Sequence, residues 1–342
     1  MNSRIDLPRD SRRVDALVSV VVPAHNESPV ITTAIDEIRR VLDSCVTTWE
    51  IIVVDDGSTD DTFDLVRGII DPMRSIRAVR LSRNFGKEAA ILAGLRSASG
   101  HAVITIDADL QHPPQLIPQL ILAWEGGAKV VNAVKRSRPT DGRIATARAA
   151  VFNAVFTFLG GVSLEDASDF KLLDRVVVDA LVDRLPERAR FYRGLAKWVG
   201  YEQANIPFDV GPRVAGTTNW STIELMRLAL SALVSFTALP LRIVVGLGAV
   251  TLILGAVIGA DALLSWSRGE AVSGFATLIT TMLITSSFIM ISLGIIGEYI
   301  GRIFEESKRR PRYLVEARLG FEKPDPSDLL DSSSISIPDR RL

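Results

Sequence analysis

Residues 50–60 read EIIVVDDGSTD, an apolar run that turns abruptly into a cluster of carboxylate and small polar residues. A short apolar run closed by turn residues is typical of a buried β-strand. Similar runs recur through the first 135 residues, separated by stretches with the apolar spacing of helices. The predicted strands are 18–22, 50–55, 78–81, 102–107 and 130–134, and the predicted helices are 29–43, 60–70, 87–98 and 114–124. This alternation predicts an α/β fold, a mostly parallel sheet with helices on both faces.

Three of the predicted strands end in polar residues rich in carboxylates. Glu27 follows the first strand, Asp55 and Asp56 close the second, and Asp107 and Asp109 follow the fourth. Ligands bind beyond the carboxyl ends of the strands in such sheets, so these side chains should meet in one crevice. Carboxylates brought together need a cation or a hydrogen-bonding ligand, and Mg²⁺ usually takes one or two of them with substrate phosphates. The pattern predicts a metal and phosphate site; an acidic turn or a helix cap is the commoner explanation for Asp-x-Asp alone.

Two long apolar runs lie towards the carboxyl end of the chain. Residues 243–264 hold a single charge, Asp261, and residues 271–297 hold none. At about 1.5 Å per residue, each run would cover a hydrocarbon core of roughly 30 Å as a helix. The two runs predict a membrane hairpin with spans at about 243–264 and 272–297. A pair of buried helices in a soluble core is the alternative.

Basic residues set the expected orientation of this hairpin. The loop between the spans holds one basic residue, Arg268. The outer flanks hold several more: Arg242, Arg302, Lys308, Arg309, Arg310 and Arg312. Since basic residues concentrate on the cytoplasmic side, both termini and the amino-terminal domain should be cytoplasmic. Residues 220–239 are apolar apart from Glu224 and Arg227, which predicts an amphipathic helix at the membrane interface, with a packed helix of the soluble domain as the alternative.

The composition excludes several classes of protein. Lys and Arg total 39 against 40 for Asp and Glu, so the chain lacks the basic surplus typical of nucleic-acid-binding proteins. The single cysteine, Cys45, excludes an intramolecular disulfide and a cysteine-rich metal site. The sequence has no G-x-x-x-x-G-K-[ST] loop, no G-x-G-x-x-G after the first strand and no G-x-S-x-G elbow. These absences disfavour a P-loop kinase, a dinucleotide oxidoreductase and an α/β-hydrolase.

Four motifs follow one another along the chain: VSVVVPAHNE at 18–27, EIIVVDDGSTD at 50–60, LSRNFGKEAAILAGL at 81–95 and DADLQHPP at 107–114. Together they resemble the nucleotide-sugar-binding half of inverting family-two glycosyltransferases. With the hairpin added, the chain resembles the polyprenyl-phosphate glycosyltransferases of the bactoprenol glucosyltransferase type, which are related to dolichol-phosphate mannose synthase. The resemblance implies a GT-A-like fold and inverting transfer of a sugar from a nucleoside diphosphate to polyprenyl phosphate at a bacterial inner membrane.

The resemblance and the charge pattern divide the chain into five segments. We expect a flexible amino terminus at 1–16, a cytosolic glycosyltransferase domain at 17–219, an interfacial helix at 220–240, a multi-pass hairpin at 241–300, and a basic segment with a disordered tail at 301–342. Small residues such as Gly246 and Gly248 allow close helix packing, so a homo-oligomer is compatible with the hairpin.

Family roles carry over to matching positions of this sequence. Nucleobase and ribose contacts would come from Pro23, Glu27, Val54 and Asp56. The sugar diphosphate would meet Asp107, Ala108 and Asp109, and Mg²⁺ or Mn²⁺ would be bound by Asp109, Gln111 and Asp107. A basic loop for the diphosphate or the acceptor matches Lys135, Arg136 and Arg138, with a solvated charge run as the alternative. Arg213 matches an arginine that the family uses on phosphate.

One position departs from the family pattern. Relatives commonly carry a lysine six residues after the matched arginine, whereas this chain has Asn219, whose amide brings no charge to a phosphate. Either another base, such as Lys135 or Arg136, substitutes for that lysine, or activity is reduced. A membrane-tethered nucleotide-sugar-binding or regulatory protein with reduced turnover is therefore the alternative function.

The resemblance also implies an acidic residue that faces the acceptor, and Asp169 is the best match. Catalysis by Asp169 as a base is a hypothesis, with orientation of the acceptor as its other role. Arg190, Arg193 and Lys197 are basic residues that would attract acceptor phosphate or lipid headgroups, with ordinary surface charge as the alternative. The default donor is UDP-glucose, and a GDP-mannose-dependent mannosyltransferase is the nearest alternative enzyme.

Overall fold

A computed structural model describes residues 15–70, 75–135, 168–185, 192–208, 239–269, 274–308 and 310–321. The strands are β1 Val18–Ala24, β2 Trp49–Asp55, β3 Ile76–Leu81, β4 Ala102–Thr105, β5 Val130–Lys135, β6 Lys171–Asp174, β7 Gln203–Phe208 and β8 Val315–Leu319. The α-helices are α1 Ile31–Cys45, α2 Thr62–Ile69, α3 Lys87–Ser97, α4 Ile117–Glu125, α5 Arg175–Asp179, α6 Tyr192–Trp198, α7 Leu239–Ser267 and α8 Phe275–Ser307. A 3₁₀ turn, Pro114–Leu116, leads into α4, and a π-helical turn, Ala180–Arg184, follows α5.

The strands of the described residues form one sheet in the order β7-β5-β6-β4-β1-β2-β3-β8. β1 is parallel to β2 and β4, β2 is parallel to β3, and β5 is parallel to β7. β6 lies antiparallel between β4 and β5, and β8 is an antiparallel edge strand on β3. All strands except β6 and β8 therefore point the same way, and the predicted mostly parallel α/β sheet is confirmed.

Alternating side chains of each central strand pack into two apolar layers. In β1, Val20 and Val22 face a layer built on α1, α2 and α4, whereas Val21 faces a layer built on α3, α5 and α6. Ile35 of α1 and Leu95 of α3 are almost completely buried in these layers. Full burial of such a side chain stabilises the fold by about 1.5–3 kcal/mol. The helices thus cover both faces of the sheet and leave its strand ends for the site.

Strand β8 lies in a segment where the sequence predicted a basic region and a disordered tail, 301–342. In the part of this segment that precedes the predicted tail, Ala317 and Leu319 pair with β3 in register with Arg80 and Ala78. The Leu314 carbonyl oxygen accepts a hydrogen bond from the Ser82 N–H at 2.9 Å. The chain that follows the apolar helices therefore returns to the sheet of the amino-terminal domain. Residues 322–342 lie outside the described residues.

Helix α7 covers the first apolar run, and α8 covers the second from Phe275 onward. Val244–Ser265 and Leu278–Ser307 are long and apolar enough to span a membrane, with mean hydropathies of 2.1 and 2.0. Large apolar side chains on both helices are exposed, among them Leu252 at 75% and Val245 at 73%. Among the described residues, neither candidate span is buried in a soluble core, which was the alternative for these helices. The predicted interfacial helix at 220–240 falls almost wholly outside the described residues, as do residues 1–14.

Candidate active site

A cleft of about 320 Å³ opens at the carboxyl ends of β1, β2 and β4. Its walls are formed by Pro23, Ala24, His25, Glu27, Asp56, Asn84, Gly86, Lys87, Ala90, Asp107, Ala108 and Asp109. The carboxyl ends of parallel strands meet at one edge of a sheet, and ligands bind there in α/β folds. The structure thus brings together six of the twelve residues predicted for the nucleotide sugar: Pro23, Glu27, Asp56, Asp107, Ala108 and Asp109.

Asp107, Asp109 and His112 form the candidate metal site. One oxygen from each aspartate and one imidazole nitrogen of His112 all lie within 4.8 Å of one another. The loop after β4 turns at Leu110, whose φ is 57°, and the Gln111 N–H donates to Asp109 Oδ1 at 3.1 Å. Carboxylate oxygens suit Mg²⁺ and Mn²⁺, and imidazole nitrogen is a common ligand of transition-metal ions. This set of ligand atoms therefore fits a divalent cation.

His112 is held in place by the core behind it. Its ring centroid lies 5.7 Å from that of Phe170 and 5.6 Å from that of Phe208. Nε2 lies 3.0 Å from Ser168 Oγ, and Nδ1 lies 3.7 Å from Asp107 Oδ2. In the tautomer that donates from Nε2 to Ser168, the Nδ1 lone pair is directed towards the metal site, as is usual for a metal-binding histidine.

Asp56 fixes the loop that follows β3. Its Oδ1 accepts a hydrogen bond from the Phe85 N–H and its Oδ2 from the Gly86 N–H, both at 2.8 Å. His25 Nδ1 donates to the Asp56 carbonyl oxygen at 2.9 Å, and Asn84 Nδ2 donates to His25 Nε2 at 3.0 Å. Both carboxylate oxygens of Asp56 are thus used to shape the wall of the cleft. A direct contact from Asp56 to a nucleotide stays a prediction.

Glu27 adds a further carboxylate to the cleft. Burial raises the pKa of Glu27, and the negative charges of Asp109, Asp107 and Asp60 raise it further. Carboxylates that repel one another in this way favour a bound cation or a hydrogen-bond donor such as a ribose hydroxyl. The electrostatics of the cleft therefore agree with its expected ligands.

Lys87, the first residue of α3, connects the metal site to Asp169. Its Nζ lies 2.6 Å from Asp107 Oδ1 and donates to Asp107 Oδ2 at 2.8 Å and to Asp169 Oδ2 at 2.7 Å. Arg193 donates to Asp169 from the other side, from Nε to Oδ1 at 2.7 Å and from Nη2 to Oδ2 at 2.8 Å. Burial alone would raise the pKa of Asp169, but the hydrogen bonds and charges of Arg193 and Lys87 outweigh it and hold that pKa well below its usual range. Asp169 is thus an ionised carboxylate between two cations.

A buried network supports Asp169 and Arg193. Thr105 Oγ1 donates to the Asp169 carbonyl oxygen at 2.5 Å and lies 3.0 Å from the Tyr192 hydroxyl. Glu88 Oε2 accepts the Tyr192 N–H at 2.8 Å. Burial raises the pKa of Glu88 to about 7, although this hydrogen bond acts in the opposite direction. Strand β4, helix α3 and helix α6 are therefore joined directly behind the two cations.

Other predicted site residues lie apart from the cleft or outside the described chain. Val54 is fully buried in the apolar layer against α3, so a nucleotide contact would have to come from its backbone. Gln111 supplies its backbone N–H to Asp109, and binding of metal by its side chain stays a prediction. Lys135 ends β5. Arg136, Arg138, Arg213 and Asn219 lie outside the described residues, as does Arg190.

Two of the site residues that were not identified from the sequence are His112 and Lys87. His112 lies three residues after Asp109 in DADLQHPP, and that short spacing was the available signal. Lys87 carried no comparable signal, because its contact with Asp169 joins residues 82 positions apart. The contact depends on β6, which the sequence pattern did not reveal.

Comparison with known proteins gives matches over both parts of the chain. Residues 19–176 match Glycosyl transferase family 2, and residues 239–303 match the GtrB C-terminal hairpin. An uncharacterised glycosyltransferase of Synechocystis sp. is 40% identical over 307 residues, covering 89% of this chain and 96% of that protein. The bactoprenol glucosyl transferase of Shigella phage SfV is 36% identical over 306 residues, covering 87% of this chain and 98% of that protein.

A solved structure also resembles the chain. It is glucosyl-3-phosphoglycerate synthase from Mycobacterium tuberculosis in complex with Mn²⁺, uridine diphosphate and phosphoglyceric acid. The similarity covers 64% of this chain and 78% of that one, with 26% sequence identity and a TM-score of 0.46.

Proposed function

This chain belongs to glycosyltransferase family 2, and on that premise we propose that it transfers glucose from UDP-glucose to polyprenyl phosphate at a bacterial plasma membrane, with inversion at the sugar. The observation that carries the proposal is the extent of one similarity. A bactoprenol glucosyl transferase aligns along 98% of its length. The matched segments include both the glycosyltransferase domain and the apolar hairpin.

The cleft supports the donor half of this reaction. Its volume and its position at the strand ends suit a nucleotide sugar. Asp107, Asp109 and His112 would hold Mg²⁺ or Mn²⁺ beside the diphosphate, and Pro23 and Glu27 would contact the nucleoside. The metal ion, when bound, offsets negative charge on the departing diphosphate.

The proposed chemistry is a single displacement at C1 of the sugar. An oxygen of the acceptor phosphate forms a bond to C1, while the bond from C1 to the β-phosphate oxygen breaks and its electron pair leaves with UDP. An α-linked donor therefore gives a β-linked product. Positioning and electrostatic stabilisation by Lys87, Arg193 and the cleft carboxylates would supply the catalysis. A contribution of Arg213 to phosphate binding stays a prediction.

The apolar helices support a lipid acceptor. Each buried CH₂ of a polyprenol tail stabilises it in the bilayer by about 0.8 kcal/mol, so the enzyme must work at the membrane surface. Strand β8 follows both helices and pairs with β3, which supports a hairpin whose two ends would lie on one side of the membrane. The basic residues outside the loop favour the cytoplasm as that side.

The test is transfer by the purified full-length protein in detergent. We would supply Mg²⁺ or Mn²⁺, polyprenyl phosphate and separate nucleotide sugars, and detect lipid products by mass spectrometry. Glucosylated polyprenyl phosphate is expected with UDP-glucose, and its formation should stop on addition of EDTA. Transfer from GDP-mannose instead, or to an acceptor lacking phosphate, would contradict the proposal.

Two matched variants locate the activity in the cleft. Asp109→Ala removes a candidate metal ligand and should abolish transfer. Asp64→Ala alters an exposed aspartate of α2 that pairs with Arg67 outside the cleft. This variant should retain transfer activity. Full activity of Asp109→Ala would contradict the assigned metal site.

A further inference from the structure

Asp169 lies between two cations that are more accessible than it is. The side chains of Lys87 and Arg193 are 43% and 41% exposed, whereas that of Asp169 is 9% exposed. Both oxygens of Asp169 accept hydrogen bonds from these cations. A molecule that approaches from solvent therefore meets positive charge before it meets the carboxylate.

The geometry points to a role for this cluster in binding phosphate. We propose that Lys87 and Arg193 bind the phosphate of the lipid acceptor, and that Asp169 is a positioning residue that holds both cations rather than a base. The proposal rests on the proposed function, since it assigns the acceptor of that reaction to named side chains. It replaces the base hypothesis for Asp169 and adds Lys87 to the acceptor site.

The donors left on the two cations suit a phosphate group. A guanidinium has five N–H donors in a planar fork, and Asp169 occupies only the edge formed by Nε and Nη2. The Nη1 edge remains directed away from Asp169. An ammonium has three N–H donors, and Lys87 contacts both Asp107 and Asp169 while lining the cleft. Together they offer the charge-assisted donors that phosphate oxygens accept.

Lys87 also sets where the bound phosphate would lie. Its Nζ contacts Asp107, one of the candidate metal ligands, and Asp169, the partner of Arg193. A phosphate held by Lys87 and Arg193 would therefore lie beside the donor site, where its oxygen must meet C1 of the sugar. The short reach between reacting groups is what a displacement reaction requires.

The ionisation state of the acceptor phosphate argues against Asp169 as a base. The second pKa of a phosphate monoester is near 6, so the acceptor is largely ionised at neutral pH. A general base must also lie within hydrogen-bonding reach of the proton it removes, and both oxygens of Asp169 are already engaged by fixed cations. The surroundings hold the pKa of Asp169 well below its usual range, which further weakens it as a base.

The buried network explains how the cations stay in place. Thr105 holds the Asp169 backbone, and Glu88 holds the first N–H of α6, the helix that carries Arg193. Lys171 is 2% exposed and donates to Asn132 Oδ1 at 2.7 Å, which adds a further positive charge near Asp169. The two cations are therefore carried by helices α3 and α6, and Asp169 by the short segment just before β6.

The first test compares two phosphate ligands, because the cations could serve either the acceptor or the donor diphosphate. Binding of farnesyl phosphate and of UDP with Mn²⁺ would be measured by calorimetry on the full-length protein in detergent. Arg193→Met should weaken farnesyl phosphate by about tenfold or more and leave UDP within about twofold, since a hydrogen bond between charged groups contributes that much. Retained UDP binding also shows that the variant is folded.

Any other pattern for Arg193→Met overturns the proposal, including loss of UDP affinity with farnesyl phosphate unchanged. Arg193→Lys keeps the charge and should recover part of the lost affinity. Lys87→Met should weaken farnesyl phosphate as Arg193→Met does. Lys129→Met is the matched control, because Lys129 is 44% exposed and paired with Asp174 away from the cleft. The affinity of the Lys129→Met protein for farnesyl phosphate should equal that of the wild type.

The second test separates positioning from base catalysis at Asp169. Asp169→Asn keeps the shape of the side chain and removes its charge. We expect the KM for polyprenyl phosphate to rise by about tenfold, with a smaller change in kcat. A fall in kcat of a hundredfold or more with an unchanged KM would identify a base and overturn the proposal.

Different results would contradict the proposed function and the assignment of Lys87 and Arg193. If the wild type transfers no sugar to polyprenyl phosphate, the proposed function is wrong. If the wild type transfers sugar and Arg193→Met keeps its affinity for farnesyl phosphate, the function stands and the assignment of Lys87 and Arg193 is wrong.

Discussion

The imidazole of His112 lies between the apolar core and the metal site, so its two nitrogens have different neighbours. Phe170 and Phe208 pack against the ring, Ser168 contacts Nε2, and Asp107 lies near Nδ1. The burial of His112 and its aromatic neighbours alone would suggest a residue of the apolar core. The contact with Asp107 changes that interpretation, because a neutral imidazole held by a second hydrogen bond is a good metal ligand.

Replacing His112 by phenylalanine separates these two roles. The aromatic packing is retained while the nitrogen near Asp107 is lost, so we expect Mn²⁺ affinity to fall by about ten- to hundredfold. The measurement is a Mn²⁺ titration followed by electron paramagnetic resonance in the presence of UDP. His101→Phe, at an exposed histidine, is the control. Equal Mn²⁺ affinity in both variants would remove His112 from the metal site.

Glu88 makes the stability of the domain depend on pH. Burial raises its pKa from 4.5 to about 7. Between these values the folded protein holds a proton that the unfolded chain releases, so the stability associated with neutral Glu88 is present at low pH and is lost as pH rises through about 7. Glu88→Gln keeps an acceptor for the Tyr192 N–H and cannot ionise.

We therefore expect Glu88→Gln to gain stability relative to the wild type as pH rises from 5 to 8. The measurement is thermal melting of both proteins at each pH, with Glu125→Gln, at an exposed glutamate of α4, as the reference. A difference between Glu88→Gln and the wild type that falls with rising pH would contradict the raised pKa.

Individual site residues were predictable where the chain itself brings them together. Asp107, Asp109 and Ala108 are neighbours in sequence, and Glu27 and Asp56 follow adjacent parallel strands, so their convergence follows from the strand pattern. The pairing of Asp169 with Lys87 and Arg193 joins the segment before β6 to helices α3 and α6. Their distances depend on packing that residue types and spacing do not specify.

Secondary structure was likewise predictable only where the local sequence specifies it. β1, β2, β4 and β5 are largely apolar, β3 carries two arginines, and all five were predicted with small differences at their ends. β6 begins with Lys171, a residue rarely found fully buried, so its sequence does not look like an inner strand. β8 reads VEARL, and its partner β3 lies at the other end of the chain. Strand pairing over such a distance leaves no mark in local sequence.

The turn after β2 depends on Gly57, whose φ is +63°. A Cβ at this position would lie 2.7 Å from both Arg83 Cα and Asn84 N, in the loop that forms one wall of the cleft. We expect Gly57→Ala to lower the free energy of unfolding by roughly 1–3 kcal/mol and to weaken UDP binding, because the loop must move.

Replacing a glycine within a helix by alanine should have the opposite effect on stability. A Cβ at Gly68, in α2, would have nothing within 4 Å, so Gly68→Ala should stabilise the protein by up to about 1 kcal/mol. Thermal melting and calorimetric UDP binding of both variants provide the comparison. Wild-type stability and UDP affinity in Gly57→Ala would show that the loop tolerates the change.

The pairing of β8 with β3 constrains the arrangement of the whole protein at the membrane. The amino-terminal domain precedes α7, and β8 follows α8, yet both belong to one sheet. Any crossings of a bilayer between these two parts of the sheet would therefore be even in number. Arg80 of β3 lies 3.2 Å from Glu316 of β8 and 3.5 Å from the buried Asp55 of β2, so the returning strand is also joined to the cleft side of the sheet by charge.

This arrangement can be tested by labelling single cysteines with a maleimide that does not cross membranes. With Cys45 replaced by serine, a cysteine would be introduced by Arg268→Cys, between the two apolar helices, or by Arg310→Cys, just before β8; both positions are exposed. In intact bacteria we expect labelling of the Arg268→Cys protein alone, whereas permeabilised cells should label both. Labelling of the Arg310→Cys protein in intact cells would place β8 outside the cytoplasm, and equal protection of both positions would mean that the helices do not span the membrane. Labelling of the Arg310→Cys protein would also contradict a catalytic domain that meets cytoplasmic UDP-glucose, because β8 and that domain share a sheet.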